Sequence, residues 1–184
     1  KAMYARIYFQ IPIANVFIQE SSEEKMSDRG FSDEDKEEIR VFRAEARFLR
    51  ALSYFHAMDM FGNIPFVDET TTIGSNDVPQ ILRPDLFNWI ESELLDIEDI
   101  LLSPSLVPYG RASKAAAQSL LAKMYLNAEV YTGISRWTDC INYCNKVIND
   151  GSFSLDDNYS HLFMADNHNS PEIIFPVCFD GNFT

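Results

Sequence analysis

Residues 41–67 read VFRAEARFLRALSYFHAMDMFGNIPFV, and this segment is the clearest indication of a helical fold. Its apolar positions cover most of a helix circumference and mix small with aromatic residues: Phe42, Ala44, Ala46, Phe48, Leu49, Ala51, Phe55 and Met58. A helix that is apolar on most sides is one that other helices surround. Ser32 and the acidic run after it predict the helix start, and Gly62 predicts a left-handed cap after Phe61.

A second long helix is predicted in residues 110–131, which read GRASKAAAQSLLAKMYLNAEVY, with Ser113 as its cap and Gly133 as its end. Ser135 then predicts the cap of a further helix that stops at Gly151. One face of that helix is apolar and is expected to lie in the core: Trp137, Ile141, Cys144 and Ile148. Together the two helices resemble a tetratricopeptide hairpin, although the repeat consensus is only loosely met.

Other segments complete a mainly helical pattern. A first helix is predicted over Ala2–Gln19, where Pro12 predicts a kink or a junction. Glu20–Asp33 is predicted to be a polar loop, and Gly62–Arg83 a long, mostly irregular one. A helix from Pro84 to Leu101 has an acidic face that is expected to be solvated: Glu91, Glu93, Asp96, Glu98 and Asp99.

Beyond Gly151 the pattern changes to short extended segments at Phe153–Leu155 and Ile173–Val177, with a helical turn at Tyr159–Met164 between them. The predicted fold class is therefore predominantly all-α, with tetratricopeptide-like hairpins and a few short extended segments near the C-terminus. A chain of 184 residues forms one domain or part of one.

Charge and composition exclude several functions. The net charge is −13 and the isoelectric point is near 4.5, which argues against nucleic acid and against a polybasic membrane contact. No apolar run approaches the roughly 18 residues that span a bilayer. The sequence opens at Lys1 inside a helical pattern and closes at Phe183–Thr184 without a terminating element, so we expect an internal fragment.

Catalytic groups are scarce. The three histidines, His56, His161 and His168, lie far apart in sequence, and His56 is expected to be a core residue. No nucleophile elbow, zinc-protease, P-loop or dinucleotide motif is present. Glu91 and Glu93 point about 200° apart on a helix, so they cannot flank one glycosidic bond. The sequence predicts no catalytic residues and no cofactor.

Metal ligation is weakly supported. Cys140 and Cys144 are expected to be small core residues rather than zinc ligands, and Cys178 stands alone. Asp156–Asn158 and Asp166–Asn169 offer oxygen ligands but do not follow the EF-hand order, and Asp and Asn are ordinary turn residues. No metal site is predicted, and the question of calcium stays open.

Two other groups of residues raise binding hypotheses. Arg40, Arg43, Arg47 and Arg50 form a stripe, which is either a basic binding face or, as we expect, a set of partners for carboxylates on neighbouring helices. Aromatic rings stack on sugars, so exposed loop aromatics are candidate glycan contacts. Phe31 and Tyr109 are the weak candidates, whereas Trp137 is expected in the hairpin core.

Several segments, in this order, resemble the SusD/RagB family: Tyr4–Phe17 with its Ala14–Asn15 pair, Arg43–Ala51, Tyr54–Phe55, Phe61–Pro65, Gly110–Lys114, Leu121–Ala122, Tyr125–Leu126, Trp137, Gly151–Leu155 and Glu172–Phe175. The resemblance implies that residues 1–184 are part of a single helical domain. It also implies that the signal, the lipid-bearing cysteine and the variable C-terminal part of the family lie outside this chain.

The resemblance implies a lipid-anchored protein on the outer face of the outer membrane. Such a protein binds glycans or other nutrients without catalysis and delivers them to a SusC-like TonB-dependent transporter. Contact with the membrane would run only through the lipid anchor. No ligand residue is transferred from the family, because the matched motifs resemble packing features. The alternative is a tetratricopeptide-type scaffold for peptide or protein partners, which the predicted hairpin supports.

Overall fold

The computed structural model describes residues 2–72, 74 and 78–178. Its elements are helices α1 (Ala2–Glu20), α2 (Glu23–Asp28) and α3 (Asp33–Phe61), strands β1 (Ile64–Pro65) and β2 (Gln80–Ile81), helices α4 (Arg83–Ile97), α5 (Lys114–Leu126), α6 (Ala128–Thr132) and α7 (Trp137–Asp150), and 3₁₀ turns at Tyr159–Phe163 and Asn167–Asn169. The mainly helical fold class is confirmed. Lys1, Phe183 and Thr184, which suggested an internal fragment, lie outside the described residues.

The helices form a row in chain order. Helix α1 packs on α3, α3 on α4, α4 on α5 and α6, and α5 on α7. Among the described elements, α1 and α7 therefore stand at the two ends of the row. None of the helices in the described part of the chain has the length and apolar composition needed to cross a membrane.

Helix α3 lies at the centre of the core, as predicted. Phe48, Tyr54, Phe55 and Met58 each expose 2% of their surface or less, and burial of one such side chain contributes about 1.5–3 kcal/mol. The hydroxyl of Tyr54 donates to the Val67 carbonyl at 2.6 Å and accepts from the Val67 N–H at 3.0 Å. This pair of bonds holds the loop after β1 against the core.

Both ends of α3 are set by local sequence. Ser32 accepts from the Asp35 N–H, and the Asp35 carboxylate accepts from the Ser32 N–H, so the predicted cap is a complete capping box. The helix ends at Phe61, but the predicted left-handed cap is wrong. Gly62 has φ 75° and ψ −109°, a glycine conformation that directs the chain straight into β1.

The segment predicted as a polar loop, Glu20–Asp33, contains helix α2. Ser22 caps this helix by accepting from the Lys25 N–H at 3.4 Å. Met26 is 1% exposed and anchors the helix to the core. The helix has one apolar residue in six, which gives no helical periodicity, so the prediction of a loop was wrong. The signals that specify this helix are its cap and the acidic residues of its first turn.

Helix α1 is continuous through Pro12, so the alternative of two shorter helices is wrong. Pro12 is exposed, while one stripe of the helix is buried against α3: Ile7, Ile11, Ala14 and Ile18. The predicted loop Gly62–Arg83 is also more ordered than expected. Strands β1 and β2 pair antiparallel within it, with Ile64 opposite Ile81 and Pro65 opposite Gln80.

Helix α4 ends at Ile97, earlier than predicted, and Leu101 reaches the core from the following turn. The predicted helix from Ser113 to Gly133 is interrupted at Asn127 and continues as α6, which Gly133 ends with the expected left-handed conformation. Ser135 is not a cap. Helix α7 begins at Trp137 after Arg136, and no side chain caps it.

Helix α7 faces the core with a different stripe from the one predicted. Tyr143 is buried against Tyr125 of α5, and its hydroxyl donates to Glu98 just after α4. Cys140 and Val147 are partly buried. Trp137 is 60% exposed, and Cys144 is exposed rather than a core residue. Ile141, Cys144 and Ile148 of the predicted face each follow a residue of the buried stripe by one position. Consecutive residues of a helix are turned by about 100°, so the predicted face lies about 100° from the buried one.

The two segments predicted to be extended after Gly151 are irregular, and neither is assigned to a strand in the described part of the chain. They lie close together, since the Ser154 N–H donates to the Pro171 carbonyl at 3.3 Å. The helical turn predicted between them is present as the 3₁₀ turn Tyr159–Phe163. These segments return the chain to the turn that precedes α5.

Candidate functional site

The arginine stripe on α3 binds groups within the protein. Arg40 pairs with Glu23 at 2.7 Å, and Arg47 pairs with Glu93 at 2.6 Å. Arg50 also contacts Glu93 at 2.6 Å. The pairing hypothesis is confirmed for these arginines, whereas Arg43 donates to the Ile18 carbonyl instead. The stripe therefore joins neighbouring helices and is not a free basic face.

Arg50 is the centre of this network. Its side chain is 1% exposed, bonds to Asn15 and Glu69 as well as Glu93, and lies 5.0 Å from the Trp89 ring. Burial alone would raise the pKa of Glu93, but the adjacent Arg47 and Arg50 hold that pKa below its ordinary value. The network spans α1, α3, α4 and the loop before β2.

The acidic residues of α4 are mostly not solvated, contrary to the prediction. Glu91 accepts from the Tyr125 hydroxyl at 2.7 Å and pairs with Arg136 at 3.0 Å. Glu98 accepts from Gln118, Tyr143 and Lys146. Asp96 and Asp99 remain exposed but also pair with basic residues. Glu91 and Glu93 have separate partners, so they do not form a carboxylate pair around one bond.

An aromatic cavity forms where the turn before α5 meets the segment after α7. The cavity has a volume of about 140 Å³. Tyr109 is 58% exposed at its edge, and its ring lies 6.2 Å from the His168 ring at an angle of 77°. The lining joins prolines and aromatic rings to a few polar groups: Pro104, Pro108, Tyr109, Arg111, Ser113, Phe153, His168, Ser170 and Pro176.

Local geometry fixes the position of Tyr109. Gly110 follows it with φ 84°, and a Cβ at Gly110 would lie 2.8 Å from the Cys178 sulfur. Only glycine fits both conditions. Arg111 then binds Glu45 through two hydrogen bonds of 2.9 and 2.6 Å and stacks over Phe42 at 4.6 Å. This bidentate pair holds the turn on α3.

A polar cavity of about 250 Å³ lies beside the aromatic one, and Ser170 lines both. Its lining includes parts of the two oxygen-rich segments singled out in the sequence, Asp156 from the first and Asp166, Asn167 and Asn169 from the second. His161 and Met164 complete the lining beside Ser170. Asp156 accepts from the Asn158 N–H and contacts His161 at 3.0 Å, and these contacts hold the pKa of its carboxyl below the ordinary value.

The two cavities together provide an aromatic ring and hydrogen-bonding groups, the two kinds of contact that a sugar can make. An aromatic face such as that of Tyr109 packs on the apolar face of a pyranose ring. Amide, carboxylate and imidazole groups bind hydroxyls as donors and acceptors. In the described part of the chain, no three His, Cys, Asp or Glu side chains converge as a metal site would require.

The other residues named from the sequence lie elsewhere. Phe31 is 39% exposed in the turn between α2 and α3, away from both cavities. His56 is exposed on α3 rather than buried in the core, because it points away from the apolar sector. The aromatic cavity combines residues about 60 positions apart, whereas the polar cavity lies within residues 156–170. Of their lining residues, only Tyr109 and the Asp156 and Asp166 segments carried a signal in the sequence.

A further cavity, of about 210 Å³, lies between α1 and the loop after β1 and is lined by Asn15, Gln19, Asp68, Glu69 and several apolar residues. Several of its polar groups are hydrogen-bonded within the protein. Asn15 accepts from Arg50 and donates to the Val67 carbonyl, and Asp68 accepts from Thr70 and Thr71. Its described lining contains no aromatic ring, so this cavity is a weaker candidate for a sugar than the pair around Tyr109 and Asp156.

Comparisons with known proteins agree with this architecture. Residues 1–126 match a SusD-like family model described as starch-binding and associating with the outer membrane. The chain is 40% identical to the starch-binding protein SusD of Bacteroides thetaiotaomicron over 97% of its own length and 31% of that protein. It therefore spans about a third of this relative.

Solved structures show the same fold. A SusD superfamily protein from Parabacteroides distasonis superposes with a TM-score of 0.82 at 26% identity, over 98% of this chain and 38% of that one. A laminarin-binding SusD-like protein superposes with a TM-score of 0.75 at 26% identity, over 95% of this chain and 37% of that one. The family model, the relatives and the helical row together establish that this chain belongs to the SusD-like family.

Proposed function

We propose that the protein to which this chain belongs binds a glycan at the outer face of the outer membrane and delivers it to a TonB-dependent transporter of the SusC type. The observation that supports this most is the 40% identity to a starch-binding relative over 97% of the chain. In this proposal residues 1–184 are part of one larger SusD-like domain, and a lipid anchor lies outside them. The acidic surface suits an uncharged ligand rather than a polyanion.

We also propose that Tyr109 contacts the glycan. Its exposed ring stands at the edge of the aromatic cavity and is held by Gly110 and by the Arg111–Glu45 pair. The adjacent polar cavity supplies Asp156, His161 and Asn167 for hydroxyl groups. An open site of this kind takes a face of the polymer rather than enclosing a single sugar.

We expect binding without catalysis, and the arrangement of the carboxylates supports this. Glu91, Glu93 and Glu98 are each held by basic or hydroxyl partners within the helical row, and none of them lines the cavities around Tyr109 and Asp156. Asp156 and Asp166 do line the polar cavity, but the pKa of Asp156 is held below its ordinary value, whereas the general acid of a glycosidase needs a raised pKa. Glycoside hydrolysis needs two carboxyl groups that flank one bond. We therefore expect no hydrolysis of bound oligosaccharide by the complete protein, which reducing-sugar assays would check.

The site is tested by native gel electrophoresis of the complete protein through starch, laminarin or xyloglucan. The wild type should be retarded by one of these polymers. Tyr109→Ala should raise the apparent Kd by roughly 2- to 12-fold, the effect of losing an aromatic contact worth about 0.5–1.5 kcal/mol.

Phe31→Ala is the matched control, because Phe31 is another exposed aromatic residue and lies away from the cavities. Its retardation should equal that of the wild type. Equal retardation of the wild type and Tyr109→Ala, both folded by circular dichroism, would remove Tyr109 from the site and leave the binding function standing. Retardation lost only in Phe31→Ala would move the site to the α2–α3 turn.

A peptide-binding scaffold is the second candidate, and the α5–α7 hairpin favours it. Tetratricopeptide scaffolds bind along stacked repeats, and at least three repeats are usual. This function predicts regular repeats of about 34 residues in the rest of the reading frame. It also predicts that the purified protein selects peptides from a random library while ignoring polysaccharides.

A further inference from the structure

The chain after α7 forms a loop whose two ends meet. The Asp156 N–H donates to the Glu172 carboxylate at 2.8 Å, and the Ser154 N–H donates to the Pro171 carbonyl at 3.3 Å. Residues 157–171 lie between these contacts. A short surface segment with joined ends is an Ω-loop, a class of loop that frequently has a function.

The Ω-loop, residues 157–171, has no hydrophobic core of its own. The structure describes all of these residues, and among them only Leu162 and Ser170 are partly buried while the others are exposed. Tyr159 and Phe163 expose 73% and 72% of their surface. A segment with so few buried apolar contacts opens easily unless hydrogen bonds hold it. The conformation of the Ω-loop therefore depends on its polar contacts.

The bond to Glu172 joins the ends of the Ω-loop across sixteen residues. Other side-chain bonds of the loop are local. Asn158 accepts from the Ser160 N–H at 3.0 Å, and Asn167 donates to the Leu162 carbonyl at 3.1 Å. A hydrogen bond to an ionised acceptor is roughly twice as strong as one between neutral groups. Glu172 is therefore well placed to keep the base of the loop closed.

The Ω-loop contributes one aromatic ring to the aromatic cavity. His168 lies on this loop, and its ring is 6.2 Å from the Tyr109 ring at an angle of 77°. The two rings therefore form a corner. The face of Tyr109 can pack on a pyranose ring, while the imidazole nitrogens of His168 can bind a hydroxyl of the same sugar. Tyr109 is fixed through Arg111 and Glu45, whereas the position of His168 depends on the loop.

We propose that Glu172 is a positioning residue of the glycan site. By closing the base of the Ω-loop it holds His168 against Tyr109, so that both rings contact one sugar unit. Glu172 is not among the residues that line either cavity, so it acts through the loop without touching the ligand. This role rests on the proposed function, because the site it serves is the glycan site around Tyr109.

Glu172→Ala tests the role in the complete protein, by native gel electrophoresis through the polysaccharide that retards the wild type. Loss of the acceptor should raise the apparent Kd roughly 2- to 12-fold, the effect of losing one contact in the site. Glu172→Gln keeps an oxygen acceptor for the Asp156 N–H, so its Kd should stay within about twofold of the wild type. Asp157→Ala is the matched control, because Asp157 is an exposed carboxylate of the same loop and lines neither cavity. Its Kd should equal that of the wild type.

Two further readouts separate positioning from a general loss of stability. The Tm of Glu172→Ala should stay within about 2 °C of the wild type, because the Ω-loop fully buries no side chain. Chymotrypsin should cleave Glu172→Ala after Tyr159 or Phe163 about tenfold faster than the wild type, because an open loop is a better protease substrate. A large fall in Tm would make Glu172 a structural residue instead, and unchanged cleavage would overturn its role in closing the loop.

A double-mutant cycle with His168→Ala tests whether Glu172 acts through His168. His168→Ala alone should raise the apparent Kd by a similar factor, and adding Glu172→Ala should raise it no further, because both changes remove the same contact. Effects that multiply would overturn the proposal, as would equal loss of binding in Glu172→Ala and Glu172→Gln. Equal retardation of the wild type and Glu172→Ala would overturn the positioning role alone. A wild type that no polysaccharide retards would overturn the proposed function, and the positioning role with it.

Discussion

Arg50 carries a charge inside the helical row, with 1% of its side chain exposed and Glu93 within 2.6 Å. Removing one partner of a buried ion pair leaves the other charge without compensation. We expect Arg50→Ala to lower the free energy of unfolding by about 3–5 kcal/mol, measured by urea denaturation. Arg40→Ala is the control at the exposed end of the same stripe, and its Tm should stay close to that of the wild type.

An Arg50→Ala variant as stable as the wild type would contradict this account of the network. In that case the carboxylates of Glu69 and Glu93 would be adequately solvated without the guanidinium. The contact with the Trp89 ring, 5.0 Å from the Arg50 guanidinium, would likewise contribute little, because Arg50→Ala removes it too. If Arg50→Ala is destabilised as expected, Arg50→Met separates the loss of charge from the loss of packing.

Glu98 gives the protein an acid-sensitive contact. Burial alone would raise its pKa, but Lys146, Gln118 and Tyr143 hold the pKa below the ordinary value of 4.5. The unfolded chain therefore binds the proton more tightly, so the stability from Glu98 is present above pH 4.5 and is lost as pH falls through the folded pKa. Unfolding midpoints in urea between pH 7 and pH 3 should show this loss, and Glu98→Gln should make the decline shallower.

The partners of the charged residues could not be assigned from the sequence. The arginine stripe correctly predicted ion pairs on α3. The acidic face of α4 was expected to be solvated, although Glu91 and Glu98 are bound by residues of α5, α7 and the turn before α7. Those partners become neighbours only when the row assembles, so spacing along a single helix does not reveal them.

At the scale of elements, the break between α5 and α6 places Ala128 in a tight contact. Ala128 is 0% exposed at the start of α6, which packs on α4. Additional carbon atoms in a filled core cost about 1–3 kcal/mol. We expect Ala128→Leu to lower the free energy of unfolding by that amount, measured by guanidinium denaturation.

Ala5→Leu is the matched control, since Ala5 is exposed on α1 and leucine is a good helix former. Its stability should stay within about 0.5 kcal/mol of the wild type. Equal stabilities of Ala128→Leu and Ala5→Leu would show that the space between α6 and α4 is not filled.

Length and periodicity decided which elements were predictable. Helix α3, with 29 residues and a complete capping box, was predicted from Ser32 to Phe61. Helices α2 and α6 have six and five residues, too few turns for an apolar period to stand out. The orientation of α7 was wrong because two apolar stripes compete on it, and the sequence does not say which one faces α5.

For the molecule as a whole, the family and the helical row were predictable and the site was not. The motifs around Arg43–Ala51 and Gly110–Lys114 consist of residues that pack one helix on another. Members of the family share this packing, so the motifs resemble the family strongly. The aromatic cavity around Tyr109 forms where residues 104–113 meet residues 153–176, whereas the polar cavity around Asp156 lies within residues 156–170. That meeting depends on the return of the chain after α7, which no local pattern encodes.

We propose that this helical row belongs to a surface protein that binds glycans, and a polysaccharide microarray probed with the complete, folded protein is the decisive measurement. We expect selective binding to at least one class of neutral polysaccharide, with no released reducing sugar. Binding to none of the polysaccharides, by protein whose circular dichroism is helical, would contradict the glycan function and favour the peptide-binding scaffold.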